Sequence, residues 1–310
     1  MRYPATIILL PNTVTLMNSK LNELISIVGD IATSGKTDTG IPRIAVVKGK
    51  IPEHKLSGLY EPMINLVIQG SKRLNVGGDV FHYSPSTYFV MSVDLPATGE
   101  VFPDTSSGEP YMAIALTISS AVLGEILEGF QPHFIPSASK GYGIGNMTEE
   151  LLDVWLRLLK LTQRPEMIAF LAPLYEKELL YLTLLGAQGA VLRDIAIQGT
   201  TLKQVHTSIK WIRAHFKEAI TVPELAEIAG MSEPSFFRKF KSVTSLTPIQ
   251  YQKQMRLLEA RRLLVETDSS AGAVSYEVGY ESHSQFTRDY TRFFERSPSK
   301  DAKVIKALFM

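Results

Sequence analysis

The chain has 310 residues, of which 45% are hydrophobic and 20% charged, and its formal net charge is +1. This length fits roughly two domains. The composition excludes an intrinsically disordered chain, and no apolar run approaches the roughly 20 residues that a membrane-spanning helix needs. The sequence has no cysteine, which excludes disulfides, cysteine metal sites and thiol nucleophiles.

The N-terminal segment carries little structural signal before residue 20. The apolar run Ala5–Leu10 stops at Pro11, and it lacks the length and the cleavage site of a signal peptide. Residues 1–19 are therefore predicted to be a disordered tail or a non-native start. Residues 20–34 are predicted to form a short amphipathic helix, because apolar residues recur there at helical spacing.

A strand-rich region is predicted from about residue 41 to 136. Short runs such as Ile64–Ile68 and Tyr88–Met91 alternate with turns rich in Gly, Pro and Ser, a texture typical of a sandwich or small barrel. Helical periodicity returns over 148–186. The apolar face of Leu151, Trp155 and Leu158 there would either pack inside the domain or form a dimer interface.

The C-terminal region contains an internal repeat at an offset of 50 residues. The matched pairs are Ser232 and Ser282, Phe236 and Phe286, Arg238 and Arg288, Phe240 and Tyr290, Thr247 and Ser297, and Pro248 and Pro298. Each unit reads as a short capped helix, a glycine turn and a second helix with an apolar and a basic face. The repeat predicts helix-turn-helix motifs over 221–244 and 270–294, joined by a helix over 249–265.

The charge distribution agrees with a nucleic-acid partner for this half. Residues 203–306 hold 17 Lys and Arg against 12 Asp and Glu, whereas the rest of the chain has four more acidic than basic residues. A positive excess confined to one half favours nucleic-acid binding by that half.

The sequence closely resembles the AraC/XylS family. The DNA-binding domain of that family is matched by Leu225–Ser232, Thr247-Pro248, Arg256-Leu257, Ala260–Leu264, Val278–Tyr280, Phe286–Arg288 and Ser297-Pro298. Leu59–Pro62, Val67–Arg73 and Ser92–Gly99 resemble the cupin-like N-terminal domain of one AraC-type subfamily. Ser245 and Glu295 depart from the family, which usually has Gly there, so less regular helix capping is expected.

The resemblance implies an α+β fold. A cupin-like β-barrel with flanking helices would form a sensor and dimerisation domain over 20–198, followed by an all-α DNA-binding domain over 202–306. In this domain the first turns of each recognition helix reach base edges, while flanking residues hold phosphates. The implied base-contacting residues are Glu233, Pro234, Phe237, Arg238, His283, Ser284, Thr287 and Arg288. The implied phosphate-contacting residues are Ser232, Lys239, Lys241, Ser282 and Arg292.

Arg238 and Arg288 are the main candidates for base recognition. They occupy equivalent repeat positions, and arginine paired bidentately with guanine is the commonest specific contact. The alternative for both is a surface salt bridge. Phe237 would touch a thymine methyl group or join the core, and His283 would bind DNA or cap its helix.

The barrel interior is the natural place for a small-molecule effector. The candidate lining residues are Tyr60, Arg73, Tyr83, Tyr88, Phe89 and Met91. The histidines His54, His82 and His133 are isolated and no His-X-His occurs, so neither a metal nor another cofactor is expected.

The sequence thus predicts a cytoplasmic, sequence-specific DNA-binding transcription regulator, not an enzyme, that acts as a ligand-responsive activator. Its expected partners are double-stranded DNA, a small-molecule effector, RNA polymerase and a second copy of the chain, with no membrane. A cupin-type enzyme with a helical appendage is the alternative, but it would need a metal triad or an acid–base pair. A scaffolding protein would leave the repeat and the basic faces unexplained.

Overall fold

A computed structural model describes residues 11–49, 56–129, 140–196 and 201–309. The first helix, α1 (Pro11–Ile31), begins nine residues before the predicted helix. Residues 11–19 are therefore helical, so the disordered alternative is wrong for them, whereas the alternative of a non-native start stays a prediction. Residues 1–10 lie outside the described ranges. The apolar face of α1 buries Leu24, Ile27 and Val28 and is continued by the partly buried Met17.

The strands of the N-terminal region form two antiparallel sheets. They are β1 (Gly35–Asp38), β2 (Ile44–Gly49), β3 (Leu56–Tyr60), β4 (Met63–Gln69), β5 (Ser71–Val76), β6 (Asp79–Tyr83), β7 (Thr87–Met91), β8 (Leu95–Phe102), β9 (Tyr111–Thr117) and β10 (Tyr142–Asn146). The larger sheet has the order β1-β2-β9-β4-β7-β10, and the smaller has the order β3-β8-β5-β6. Among the described residues no strand pairing joins the two sheets, so the cupin-like fold is an open pair of sheets, not a closed barrel.

The central strands of the larger sheet are buried on both faces. Successive side chains of a strand point to opposite faces, so Ile64 and Leu66 pack toward the helices while Val67 packs toward the smaller sheet. The helices on the outer face are α1, α2 (Ser120–Gly129), α3 (Glu149–Lys160), α4 (Ile168–Leu185) and α5 (Gly189–Ala196).

The apolar face of α3 does not form a dimer interface. Leu151, Trp155 and Leu158 are 4%, 1% and 1% exposed and lie in the core of their own chain. The suggestion that they mediate dimerisation is therefore wrong, and the alternative of packing inside the domain is right. The reason is that α1 and α4 both pack against α3 and cover its apolar face.

The C-terminal region is wholly helical. Its helices are α6 (Thr201–His215), α7 (Val222–Ile228), α8 (Glu233–Thr244), α9 (Pro248–Glu266), α10 (Ala271–Glu277), α11 (His283–Phe294) and α12 (Pro298–Phe309). The α7–α8 and α10–α11 pairs are the two helix-turn-helix units, and α9 joins them. The predicted α+β fold class is confirmed.

Candidate nucleic-acid interface

Both helix-turn-helix units use the same turn. Gly230 has φ of 64° and Gly279 has φ of 91°, a left-handed conformation that glycine adopts without steric cost. The next amides, of Met231 and Tyr280, donate to the carbonyl five residues earlier at 2.9 and 3.0 Å. This closes the preceding helix in a Schellman motif. The predicted repeat is thus a repeat of backbone geometry as well as of sequence.

Each second helix, α8 and α11, is anchored by aromatic side chains one turn apart. Phe236 and Phe240 of α8 are fully buried, as are Phe286 and Tyr290 of α11. The helices end at Ser245 and Glu295, which have φ of 58° and 60°. The two departures from the family's glycine therefore keep the regular left-handed cap instead of disturbing it.

The start of α8 faces outward. Glu233, Pro234, Phe237 and Arg238 are all exposed, and 40% of Phe237 is exposed although its neighbour Phe236 is fully buried. Phe237 therefore does not join the core. Within the described ranges the Arg238 side chain has neither a hydrogen bond nor an ion pair, so its guanidinium is available to a ligand.

The start of α11 presents a similar face with one exception. His283, Ser284 and Arg288 are exposed, and the Arg288 guanidinium donates to the Gln285 amide oxygen at 2.9 Å. Thr287 is half-buried, and its hydroxyl oxygen is buried with no hydrogen-bond partner among the described residues. The Thr287 hydroxyl thus points away from the face on which the other implied base-contacting side chains lie.

The implied phosphate-contacting residues are spread along both helices. Ser232 and Lys241 are exposed and Lys239 is half-buried, while Ser282 caps α11 by accepting from the Gln285 amide at 3.4 Å. Arg292 is 77% exposed and lies 4.0 Å from Asp289. Arg292 borders a cavity that faces the smaller sheet. It therefore lies on the side of α11 that faces the N-terminal domain.

The implied effector residues do not converge on one pocket. Tyr83, Phe89 and Met91 lie in the core between the two sheets, and Tyr60 packs against it. Tyr88 lies in the helix-side core, and Arg73 pairs with a carboxylate, Glu100, on the outer side. The pleat explains the separation, because neighbouring residues of a strand face opposite ways.

A cavity of about 500 Å³ lies elsewhere, between the smaller sheet and the second helix-turn-helix unit. Arg73 and His82 border it from the sheet, and Gln254, Arg292 and Phe293 border it from α9 and α11. Of the three isolated histidines named above as possible metal ligands, His54 and His133 lie outside the described residues. The cavity is formed by two domains, and sequence patterns within either domain could not reveal it.

Lys72 is a buried residue that is not among the candidates predicted from the sequence. It is 7% exposed, and its Nζ lies 4.8 Å from the centre of the Tyr60 ring. Burial lowers the pKa of Lys72 to about 8. The sequence did contain a signal, since Lys72, Leu74 and Val76 share one face of β5 by the alternation of a strand.

A hydrogen-bonded group, here called the Asp79 network, joins the two domains. Asp79 Oδ2 lies 2.7 Å from the Tyr142 hydroxyl, 2.8 Å from the Ser245 hydroxyl and 2.7 Å from Lys140 Nζ. The two hydroxyls are themselves 2.7 Å apart. Burial alone would raise the pKa of Asp79, but the bonds from Lys140, Tyr142 and Ser245 hold it below its ordinary value. The carboxylate is thus kept charged where α8 ends.

A second set of contacts fixes the N-terminal domain to α6 and α9. The Tyr251 hydroxyl donates to the Asp94 carbonyl at 2.8 Å, and the Asp94 carboxylate pairs with Arg213 at 2.8 Å. The Gly141 amide also donates to the Val243 carbonyl of α8 at 3.0 Å. The first helix-turn-helix unit is therefore docked on the sheets by charged, polar and backbone contacts.

Two classes of feature are not found in the part of the chain that the structure describes. No helix there has the length and apolarity to cross a membrane. The same residues form no group of three or more His, Cys, Asp and Glu side chains that could hold a metal ion.

Two family models match the chain. A model of the AraC-type transcriptional regulator N-terminus matches residues 40–191, and a helix-turn-helix domain model matches residues 225–303. The HTH-type transcriptional activator RhaS of an Enterobacter species is 33% identical over 88 residues, covering 28% of this chain and 32% of RhaS. RhaS of Escherichia fergusonii is 28% identical over 130 residues, covering 41% and 46%. The chain thus matches a third to a half of the length of these curated relatives.

Solved structures of ToxT from Vibrio cholerae have a similar fold. An apo ToxT variant has a TM-score of 0.54 at 10% identity, with 87% of this chain and 98% of ToxT covered. Wild-type ToxT bound to an unsaturated fatty acid has a TM-score of 0.52 at 10% identity, with coverage of 84% and 93%. At this identity the similarity concerns the fold alone, and it extends over both domains.

Proposed function

Because this chain belongs to the AraC/XylS family of transcriptional regulators, we propose that it is a sequence-specific DNA-binding regulator that acts as a ligand-responsive activator. The exposed first turns of α8 carry this proposal. Phe237 and Arg238 face outward, while Phe236 and Phe240 anchor the same helix in the core. A rigid helix with an apolar contact and an unpaired guanidinium side by side suits the floor of a major groove.

The two units would read successive major grooves. On straight DNA these grooves lie roughly 34 Å apart, and α9, with 19 residues, is about 28 Å long. The joining helix keeps α8 and α11 at a fixed separation, so any mismatch with the groove spacing is taken up by bending the DNA. Arg238 and Arg288 would each recognise a guanine, and the implied phosphate contacts would set the register.

The proposal includes an effector, RNA polymerase and a second copy of the chain as partners, and a site of action in the cytoplasm, where the chromosome of a bacterium lies. The curated relatives are named activators, which supports activation. The cavity of about 500 Å³ between the two domains falls within the usual range for small-molecule sites. An effector bound there would touch both domains and would favour one arrangement of them. Family membership does not favour a cupin-type enzyme.

The proposal is tested by selecting genomic DNA fragments that bind the full chain. The wild type is expected to enrich a motif of two parts whose centres lie about 10 base pairs apart. Arg238→Ala should relax one part and Arg288→Ala the other, each by about 1–3 kcal/mol of discrimination. Lys36→Ala, which removes an exposed charge from β1, is the control and should leave the motif unchanged.

Two results would contradict this function or its mechanism. Enrichment of no sequence by the wild type, with or without cell extract, would reject specific DNA recognition. A motif that neither arginine variant alters would reject α8 and α11 as the recognition helices while leaving DNA binding intact.

A further inference from the structure

The arginines at equivalent positions of the two helix-turn-helix units have different surroundings. Arg288 is exposed, yet its Nη2 donates to Gln285 Oε1 at 2.9 Å. Arg238 is equally exposed, but its side chain forms no hydrogen bond or ion pair with any described residue. An exposed arginine samples many rotamers, and ordering it when a ligand binds costs free energy. The two arginines therefore differ in how far they are ordered before DNA arrives.

The side chain of Gln285 is itself held by a carboxylate. Its Nε2 donates to Asp289 Oδ2 at 2.9 Å, one helical turn further along α11. A carboxylate only accepts hydrogen bonds, and an amide nitrogen only donates them. The bond therefore fixes which way the Gln285 amide is turned, because exchanging its oxygen and nitrogen would break the contact with Asp289. The amide oxygen is left facing Arg288.

The Asp289 carboxylate is anchored between α9 and α11. Its side chain is 3% exposed, and Lys253 Nζ of α9 lies 3.1 Å from the same oxygen, Oδ2. Arg292 lies 4.0 Å from the other oxygen, Oδ1. Burial raises the pKa of Asp289, but the hydrogen bonds from Gln285 and Lys253 outweigh burial and lower it overall. A charged, buried and bonded carboxylate has little freedom to move, so the orientation of Gln285 is set from the joining helix.

We infer that Gln285 and Asp289 are positioning residues for Arg288, and that they make the part of the DNA site read by α11 the more sharply discriminated of the two parts. This deepens the proposed function and rests on it, since it takes Arg288 as a base-contacting side chain. The bond to Gln285 uses one guanidinium proton and leaves a pair of N–H donors for O6 and N7 of one guanine. A guanidinium that is ordered in advance binds the correct base at a lower entropic cost and adapts less readily to a wrong one.

The first helix-turn-helix unit lacks both positioning residues. At the repeat offset of 50, Ser235 occupies the position of Gln285, and Lys239 occupies the position of Asp289. A serine side chain is shorter than that of glutamine, and a lysine only donates hydrogen bonds and repels a guanidinium. Neither can support Arg238 in the same way. The part of the site read by α8 should therefore tolerate more base changes.

Competition binding of the full chain to fragments with the selected motif tests the inference. Each competitor changes one base pair, in the part that Arg288→Ala relaxes or in the part that Arg238→Ala relaxes. Gln285→Ala and Asp289→Leu should each lower discrimination in the α11 part roughly three- to tenfold, which corresponds to ordering one long side chain. Both should leave the α8 part unchanged. Ser235→Ala, at the equivalent position of α8, is the matched control and should alter neither part.

A double-mutant cycle separates positioning from direct contact with DNA. If Gln285 acts through Arg288, Gln285→Ala should have no further effect once Arg288 is replaced by alanine. A glutamine that bound a base by itself would lower binding equally in both backgrounds. Asp289→Leu strengthens the distinction, because a side chain that is 3% exposed cannot reach DNA. If the leucine variant fails to fold, Gln285→Ala still completes the cycle, since Gln285 is only half-buried.

Nuclear magnetic resonance of the arginine side chains provides a test without DNA. Rotation of the Arg288 guanidinium about its Nε–Cζ bond should be slower than that of Arg238 by roughly fivefold, which corresponds to one hydrogen bond. Gln285→Ala and Asp289→Leu should remove this difference, and Ser235→Ala should preserve it. Circular dichroism of each variant would establish that it is folded.

Three results would overturn the inference. They are an Arg288 guanidinium that rotates as freely as that of Arg238, a Gln285→Ala effect that persists in the Arg288→Ala background, and unchanged discrimination in the α11 part. A motif that requires Arg288 but not Gln285 would reject the inference alone. A wild type that selects no motif, or a motif indifferent to Arg288→Ala, would reject the base contact of the proposed function and the inference with it.

Discussion

Removing the Ser245 hydroxyl would separate two opposing effects at the end of α8. Ser245 has φ of 58°, a conformation that costs a residue other than glycine roughly 1–2 kcal/mol. Its hydroxyl lies 2.8 Å from the Asp79 carboxylate and 2.7 Å from the Tyr142 hydroxyl. The family's usual glycine would avoid the strain, so the hydroxyl contacts offset a backbone cost that this chain retains.

The expected magnitudes follow from the geometry of the Asp79 network. Its three oxygen–oxygen contacts share only two hydroxyl protons, so only two of these contacts are hydrogen bonds at any moment. A bond to a charged group contributes about 1.5–3 kcal/mol when buried, and the partial exposure of Asp79 lowers this to about 1–2 kcal/mol. Ser245→Ala loses this contribution and keeps the strain. Ser245→Gly also loses the hydrogen-bond contribution, but it relieves about 1 kcal/mol of backbone strain. Its free energy of unfolding should therefore fall by only about 0–1 kcal/mol.

Urea unfolding of the full chain near pH 7 measures these differences in the free energy of unfolding. The variants are compared with the same m-value, which is the slope of that free energy against urea concentration. Ser242→Ala is the control, because Ser242 is exposed on the same helix. The pKa of Asp79 is lowered in the folded chain from an ordinary value of 3.8. The deficit of Ser245→Ala should therefore persist above this pH and shrink as the pH falls through the lowered pKa. A Ser245→Ala chain as stable as the wild type, or a Ser245→Gly chain more stable than it, would refute the reasoning.

Two further substitutions probe the docking of the domains and the sheet interior. A Cβ at Gly77 would lie 2.8 Å from the Ser245 Cβ, whereas a Cβ at Gly78 would meet nothing within 4 Å. Gly77→Ala should therefore lose about 1–3 kcal/mol more than Gly78→Ala in urea unfolding, and equal losses would contradict the close approach. Lys72→Met should raise stability near pH 7 by about 1–3 kcal/mol, because it removes a buried ammonium. Since the pKa of Lys72 is lowered to about 8, the wild type should recover this difference as the pH rises from about 8 towards 10.5 in thermal melts. A less stable Lys72→Met would contradict the prediction.

The sequence identifies the helical half well because its signals are local. Thr221 and Ser270 cap α7 and α10 through amides three residues ahead, and Gly230 ends the first of these helices. Capping residues, glycine stops and the aromatic spacing all act within one or two helical turns. The outward face of α8 follows from the same short-range pattern.

The arrangement of the sheets is not encoded locally. Strand β2 pairs with β9, more than sixty residues later, and β7 pairs with β10 across α2. Strand patterns indicate which residues alternate between faces, but not which strand lies beside which. Alternation along β7 already separates Tyr88 from Phe89, so their shared pocket was a wrong prediction that a local pattern could have corrected. The approach of Asp79 to Ser245 has no such local signal. Contacts between domains depend on both folds being complete.

The two helix-turn-helix units differ in how far their cores depend on the N-terminal domain, because the boundary between two core clusters runs through α9. Tyr251 and Met255 belong to the core shared with the sheets, whereas Leu257 and Leu264 belong to a core made only by the C-terminal helices. A chimaera that joins residues 201–309 to a foreign sensor domain would keep the whole core of the second helix-turn-helix unit. The first helix-turn-helix unit would lose the part of its core that the sheets supply. The part of the chain whose core is independent of the sheets therefore begins midway along α9 and is smaller than the DNA-binding domain.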